Sequence, residues 1–136
     1  MAELRDTVNR LFDAMNNHDW DTIRSHLHPD YVYIGPDGQE ARGIEAGLTA
    51  GWVEHSEGFP DMRVEIKNMY VAGDTVITEF SFSGTHTGAW AGVNPTGKKT
   101  AADVCNIMEF RDGKLSRERD YLDTLGVFAQ LGVVQM

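Results

Sequence analysis

Between residues 62 and 123 the sequence alternates β-rich runs with glycine-bearing turns, a pattern that restricts this part of the chain to antiparallel hairpins. Residues 62–72 are strand formers, Gly73-Asp74 supplies a tight turn, and residues 75–84 alternate with Val76, Phe80 and Phe82 on one face. A glycine-punctuated loop over residues 84–97 leads to a strand at about 99–110, the turn Arg111-Asp112-Gly113, and a final strand to Asp123. A sheet with one apolar face must bury that face against something. The rest of the chain supplies the cover. Residues 2–17 place Leu4, Val8, Leu11, Phe12 and Met15 at helical spacing, which predicts an amphipathic helix. Asp19 caps a second short helix through Trp20, Ile23 and Leu27, which Pro29 ends. Residues 31–34 read as a short strand and Gly35-Pro36-Asp37-Gly38 as a turn. Residues 43–55 read as a helix carrying Ile44, Leu48, Trp52 and Val53, against which Gly47 and Gly51 argue weakly. A short apolar, helix-like tail follows the final strand, up to Gly132. Helices followed by hairpins predict an α+β domain, with helices packed on one face of a curved antiparallel sheet.

The length of 136 residues suits a single domain, residues 1–136, with one sizeable core. A formal charge of −9, with no basic block to reverse it locally, argues against nucleic acid and anionic membranes as partners. Cys105 is the only cysteine, so no intramolecular disulfide forms. No run is apolar enough to span a bilayer or to open the chain as a signal, and a cytoplasmic location is the default expectation. His26 and His28 stand at alternate positions, but no further ligands lie at recognisable spacing, and a metal site is rejected. No GxSxG, phosphate-cradling loop or dinucleotide fingerprint is present.

The chemistry is expected on the last hairpin. If Arg111-Asp112-Gly113 is a three-residue loop, Phe110 pairs with Lys114 and the even-numbered residues of both strands share a face. That face carries Val104, Met108, Phe110 and Leu122 together with Asn106, Ser116, Glu118 and Asp120. It is apolar near the hairpin and polar in its middle, like the floor of a cavity. A two-residue Asp112-Gly113 loop is the competing choice and would set Asp120 opposite Cys105. In the preferred register Arg117 and Arg119 meet Glu109 and Asp103 on the other face, which Ile107 and Leu115 mark as partly covered. A carboxylate in an apolar cavity has a raised pKa and becomes a stronger base, so Asp120 is the candidate to take a proton from carbon next to a carbonyl. The competing reading is a salt-bridged surface residue. Glu118, two residues away, would form an acid/base pair with it, or the two are solvated acids on an edge strand. His86, in the loop beyond a buried strand, is a candidate donor or proton shuttle, or else a loop tether. Trp52, Trp90 and Tyr33, with the strand phenylalanines, line a pocket for a hydrophobic small molecule, or are plain core.

The segments Phe59-Pro60-Asp61, Gly84-Thr85-His86-Thr87-Gly88, Pro95-Thr96-Gly97, Arg111-Asp112-Gly113-Lys114-Leu115, residues 120–123 and the closing run 125–132 carry a likeness that covers nearly the whole chain. Together they resemble the SnoaL-like polyketide cyclase family, within the nuclear-transport-factor-2-like superfamily. The resemblance implies a cone-shaped α+β barrel of curved sheet closed by three helices, a deep pocket and a homodimer. It also implies an aspartate acid/base for intramolecular aldol closure, with neither cofactor nor metal, and the expected activity is cyclisation or isomerisation of a hydrophobic carbonyl compound. That aspartate falls on Asp120, with Asp123 as the alternative. The histidine of some cyclases falls on Asn106, which donates a hydrogen bond but takes no proton, so His86 or Glu118 would have to replace it. Asn106, Met108 and Asp123 join Tyr33, Trp52 and Trp90 as expected substrate contacts. A non-catalytic hydrophobic binding module is the alternative. Epoxide hydrolysis by an aspartate-arginine-aspartate relay is disfavoured, because Arg119 points away from Asp120 on a regular strand.

Overall fold

The computed structural model describes residues 2–135. Helix α1 (Ala2–Asn16) buries Val8, Leu11, Phe12 and Met15, as its periodicity predicts. Its C-terminal end is pinned to the sheet, since Asn16 both donates to the Val64 carbonyl at 2.9 Å and accepts from the Val64 N–H at 2.8 Å. Helix α2 (Trp20–Ser25) starts at Asp19, whose carboxylate accepts from the Thr22 N–H. Leu27 already belongs to strand β1 (Leu27–Ile34) rather than to this helix. Pro29, which has no N–H to give, lies in the stretch of β1 where pairing is interrupted. A short strand that the sequence did not announce, β2 (Glu40–Arg42), pairs with β1. Next come α3 (Ile44–Leu48), a π-helical turn (Thr49–Val53) and α4 (Glu54–Gly58), which follow one another without a break. Four long strands follow, β3 (Arg63–Ala72), β4 (Thr75–Thr85), β5 (Lys99–Arg111) and β6 (Lys114–Leu122), and then α5 (Thr124–Leu131).

The strands form a curved six-stranded sheet in the order β2-β1-β6-β5-β4-β3, open between its edge strands. The expectation of an antiparallel sheet holds for every pair except β1 and β6, which run parallel. Parallel pairing needs a long crossover, and here everything from β2 to β5 lies between the two strands. The core fills the space between the sheet and α1, α3 and α5, with Leu11, Ile23, Tyr31, Phe59, Met108 and Leu115 fully buried.

The last hairpin reaches the expected face by a different route. Its loop has two residues, with Arg111 opposite Lys114 and both Asp112 (φ 54°) and Gly113 (φ 76°) left-handed. Left alone, that loop would bring Asp120 opposite Cys105. A bulge intervenes, because Phe110 pairs with Leu115 while Glu109 pairs with Arg117, and Ser116 is the extra residue. Its hydroxyl donates to the Glu109 carbonyl at 3.0 Å. The bulge restores the parity, so Asn106 faces Asp120 and Met108 faces Glu118. Two expectations are corrected by it. Leu115 lies on the core side, fully buried, and Arg119 stands opposite Ile107 rather than Asp103, with its guanidinium 4.6 Å from the Tyr121 ring centroid. Arg117 does meet Glu109, at 2.8 Å.

Candidate active site

At the middle of β5 and β6 two carboxylates share one amide. Asn106 Nδ2 donates to Asp120 Oδ1 at 2.7 Å and to Glu118 Oε2 at 2.9 Å. The other oxygen of each acid is held by a tyrosine of β1: the Tyr33 hydroxyl donates to Asp120 Oδ2 at 2.5 Å, and the Tyr31 hydroxyl to Glu118 Oε1 at 2.7 Å. Trp52 Nε1 donates in turn to the Tyr31 hydroxyl at 3.1 Å. Every carboxylate oxygen has a donor, yet no cation joins the cluster among the described residues. Asn106 Oδ1, spared by this arrangement, has no partner among the described residues.

Alternation along β1 puts both tyrosines on the same face, and the parallel register with β6 sets Tyr33 beside Glu118, which brings the two hydroxyls within reach of the two acids. Their rings pass beneath the helical segment that crosses β1. A Cβ on Gly47 would come within 2.4 Å of the Tyr31 ring, and one on Gly51 within 2.7 Å of the Tyr33 ring. These two glycines, unfavourable for a helix, are where the backbone must approach the tyrosines closely.

Burial dominates the electrostatics. Asp120 is 8% exposed and Glu118 3%. Loss of water, and then the neighbouring Asp120 charge, push the Glu118 carboxyl up to about 8 against the pull of its hydrogen bonds. Burial raises Asp120 as well, offset by Tyr33 and Asn106. The Tyr31 and Tyr33 phenols are driven upward by burial and by the facing acids, so both remain protonated donors. The pair therefore retains a proton near neutral pH, which suits an acid and a base side by side. Removing one donor exposes this balance. Tyr31→Phe leaves a Glu118 oxygen and the Trp52 N–H unpaired, and we expect a loss of about 1–3 kcal/mol in a urea unfolding curve; an unchanged midpoint excludes the network as drawn.

Above the acids lies a cavity of about 80 Å³, walled by Phe12, Met15, Met62, Phe80, Phe82 and Val127 among others. Pockets for drug-sized ligands hold roughly 300–1,000 Å³, so a multi-ring ligand requires this one to widen. Met15, Met62 and Met108, unbranched and adaptable, line it and are the walls best able to re-pack. No lysine or arginine lines it among the described residues.

The structure brings Asp120, Glu118, Asn106, Met108, Trp52 and Trp90 together around this cavity. Tyr33 sits behind Asp120 as its donor and does not line the space. His86 stays outside: it is fully buried beside Phe59, and its Nδ1 accepts from the Thr96 N–H at 3.2 Å, tying the loop closed. Asp123 is also outside, exposed at the start of α5, where it accepts from the Gly126 N–H at 2.8 Å. The imidazole that does line the cavity is His55 of α4, with Nδ1 3.1 Å from the Trp90 indole Nε1. The spacing Leu48, Trp52, His55, Phe59 is a helical stripe and was the signal available for it. Trp90 is held over α4 by its loop, where Gly88 packs so closely that a Cβ would lie 1.9 Å from the Glu57 carbonyl oxygen. Gly88→Ala must displace backbone. We expect a cost on the order of 1–3 kcal/mol with loss of near-ultraviolet circular dichroism from Trp90, and an unperturbed spectrum would reject this docking.

A curved open sheet, helices on its concave side and buried acids at the floor of an apolar cavity define a nuclear-transport-factor-2-like fold. Within that class the chain belongs to the SnoaL-like polyketide cyclase family, which matches residues 5–131. It is 28% identical over 134 residues to the aklanonic acid methyl ester cyclase AcmA of Streptomyces galilaeus, covering 97% of this chain and 92% of that one. It is also 28% identical over 124 residues to the epoxide hydrolase EphG of Mycobacterium tuberculosis, covering 91% of this chain and 76% of the other. Among solved structures, a SnoaL-like protein of Jannaschia sp. CCS1 superposes with a TM-score of 0.90 at 27% identity, covering 98% of this chain and 94% of that one. No helix among the described residues is long and apolar enough to cross a membrane.

Proposed function

We propose that this chain is a cofactor-independent enzyme that cyclises or isomerises a hydrophobic carbonyl compound, with Asp120 as general base and acid. The observation that carries the reading is a buried carboxylate, gripped by Tyr33 and Asn106, at the polar end of an otherwise apolar cavity. The Asp120 carboxylate takes a proton from carbon α to a carbonyl, and the C–H pair moves toward the carbonyl to give an enolate. The enolate carbon attacks a second carbonyl carbon of the same molecule, forming the ring bond and breaking that C=O π bond. The resulting alkoxide receives the proton back from Asp120, so nothing is gained or lost. Glu118, protonated near neutral pH, is the reserve acid. A cavity holding two carboxyl groups and no cation favours a neutral, esterified substrate over a carboxylate or phosphate. Similarity to AcmA, an aklanonic acid methyl ester cyclase, supports a polyketide methyl ester. The test is turnover of aklanonic acid methyl ester by wild type and Asp120→Asn.

The small cavity favours one other reading, a non-catalytic module for a hydrophobic ligand. It predicts that ligand binds to wild type and Asp120→Asn alike with no product from either. Epoxide hydrolysis, suggested by EphG, lacks its arginine here: the group bridging the two acids is Asn106, and Arg119 lies on the far face of the sheet.

A further inference from the structure

We infer that His55 is a further catalytic residue, donating its Nε2–H to the carbonyl oxygen on which the enolate charge gathers, and that Trp90 is the positioning residue that makes it a donor there. The inference rests on the carbonyl chemistry proposed above. An indole N–H only donates, so His55 Nδ1, 3.1 Å from Trp90 Nε1, must present a lone pair. In a neutral imidazole the proton then sits on Nε2. The ring, half-buried, makes its hydrogen bond among the described residues through Nδ1 and none through Nε2, and it borders the same cavity as Asp120 and Glu118. Burial lowers the imidazole pKa, opposed in part by Asp120 and Glu54, which favours the neutral form. A neutral donor suits this position. It stabilises a developing oxyanion without giving up its proton and without forming an ion pair that would hold Asp120 away from the substrate.

The geometry answers a need in the site. Tyr31, Tyr33 and both Asn106 N–H groups are already committed to the carboxylates, so none is free for a substrate oxygen. Among the described residues bordering the cavity, the N–H groups of Trp52, Trp90 and Asn106 are committed, and His55 is the one that offers a free N–H. As Asp120 accepts the carbon-bound proton, the C–H pair forms the C=C bond and the carbonyl π pair moves to oxygen, which accepts from Nε2–H. His55 itself neither gains nor loses a proton.

The experiment uses the folded protein at pH 7 with 4-nitrophenol, whose phenolate imitates an enolate oxygen and whose colour reports ionisation. Nitrogen NMR of the imidazole should find the Nε2–H tautomer in wild type, and a mixture in Trp90→Phe. The phenol should bind His55→Leu about tenfold more weakly than wild type. His55→Gln should restore most of the affinity, because its carbonyl accepts from Trp90 while its amide donates. An Nδ1–H or cationic ring in wild type, no phenol binding by wild type, or equal affinity in wild type and His55→Leu overturns the inference. A purely structural tether would lower the stability of the variants and leave affinity unchanged. Failure of the base assignment is read separately, as unchanged turnover in Asp120→Asn.

Discussion

If the proposed reaction is correct, replacing Asp120 by asparagine is expected to lower its kcat by about 10²–10⁴-fold, the range that one positioned proton-transfer group contributes. The side chain keeps its size and still accepts from Tyr33 or Asn106, and a buried charge is removed, so the fold is retained. KM should move little, because the cavity walls that hold the substrate are untouched. The pattern of a collapsed kcat with a steady KM separates loss of chemistry from loss of binding. Steady-state kinetics that give wild-type kcat for the variant remove Asp120 from the mechanism.

Glu118 is expected to dominate the dependence of stability on pH. Its carboxyl lies near 4.5 in the unfolded chain and at about 8 in the fold. Between those values the folded protein keeps a proton that the unfolded chain releases, so stability is complete below about 4.5, declines as pH rises and levels off above 8. The loss is on the order of a few kcal/mol. The raised Asp120 acts in the same direction, whereas the depressed His55 acts in the opposite one. Comparison with Glu118→Gln cancels the His55 contribution and isolates that of the coupled acid pair. Urea midpoints at pH 5 and pH 8 should fall in wild type and change much less in the variant. Equal slopes in the two proteins rule out a proton held on Glu118.

The same burial that makes Glu118 a stability liability is what the proposed chemistry depends on. Two acids in an apolar enclosure cannot both ionise cheaply, and the protein distributes the strain over Tyr31, Tyr33 and Asn106 rather than over a cation. An arginine in place of Asn106 would neutralise the pair and lower both pKa values, at the expense of the base strength that proton abstraction from carbon requires.

Local rules determined the elements. Helical spacing from Leu4 to Met15, the Asp19 cap and the β-rich runs after residue 62 each depend on neighbours in sequence, and each appears within a residue or two of its expected bounds. Alternation also set Glu118 and Asp120 on one face, because a strand has period two. What only the tertiary structure decided depends on contacts far apart in the chain. The loop at Asp112-Gly113 and the bulge at Ser116 are two local shifts whose effects on parity cancel, and no local pattern distinguishes that from a single three-residue loop. Tyr31 reaches Glu118 across 87 positions, and Trp90 reaches His55 across 35. Residue types made Asp120 a candidate base, but the parallel β1–β6 pair and the two glycines beneath which the tyrosines pass are what surround it with donors. His86 shows the converse: a histidine in a glycine-rich loop has the right chemistry, and the fold uses it to close that loop at Thr96 instead.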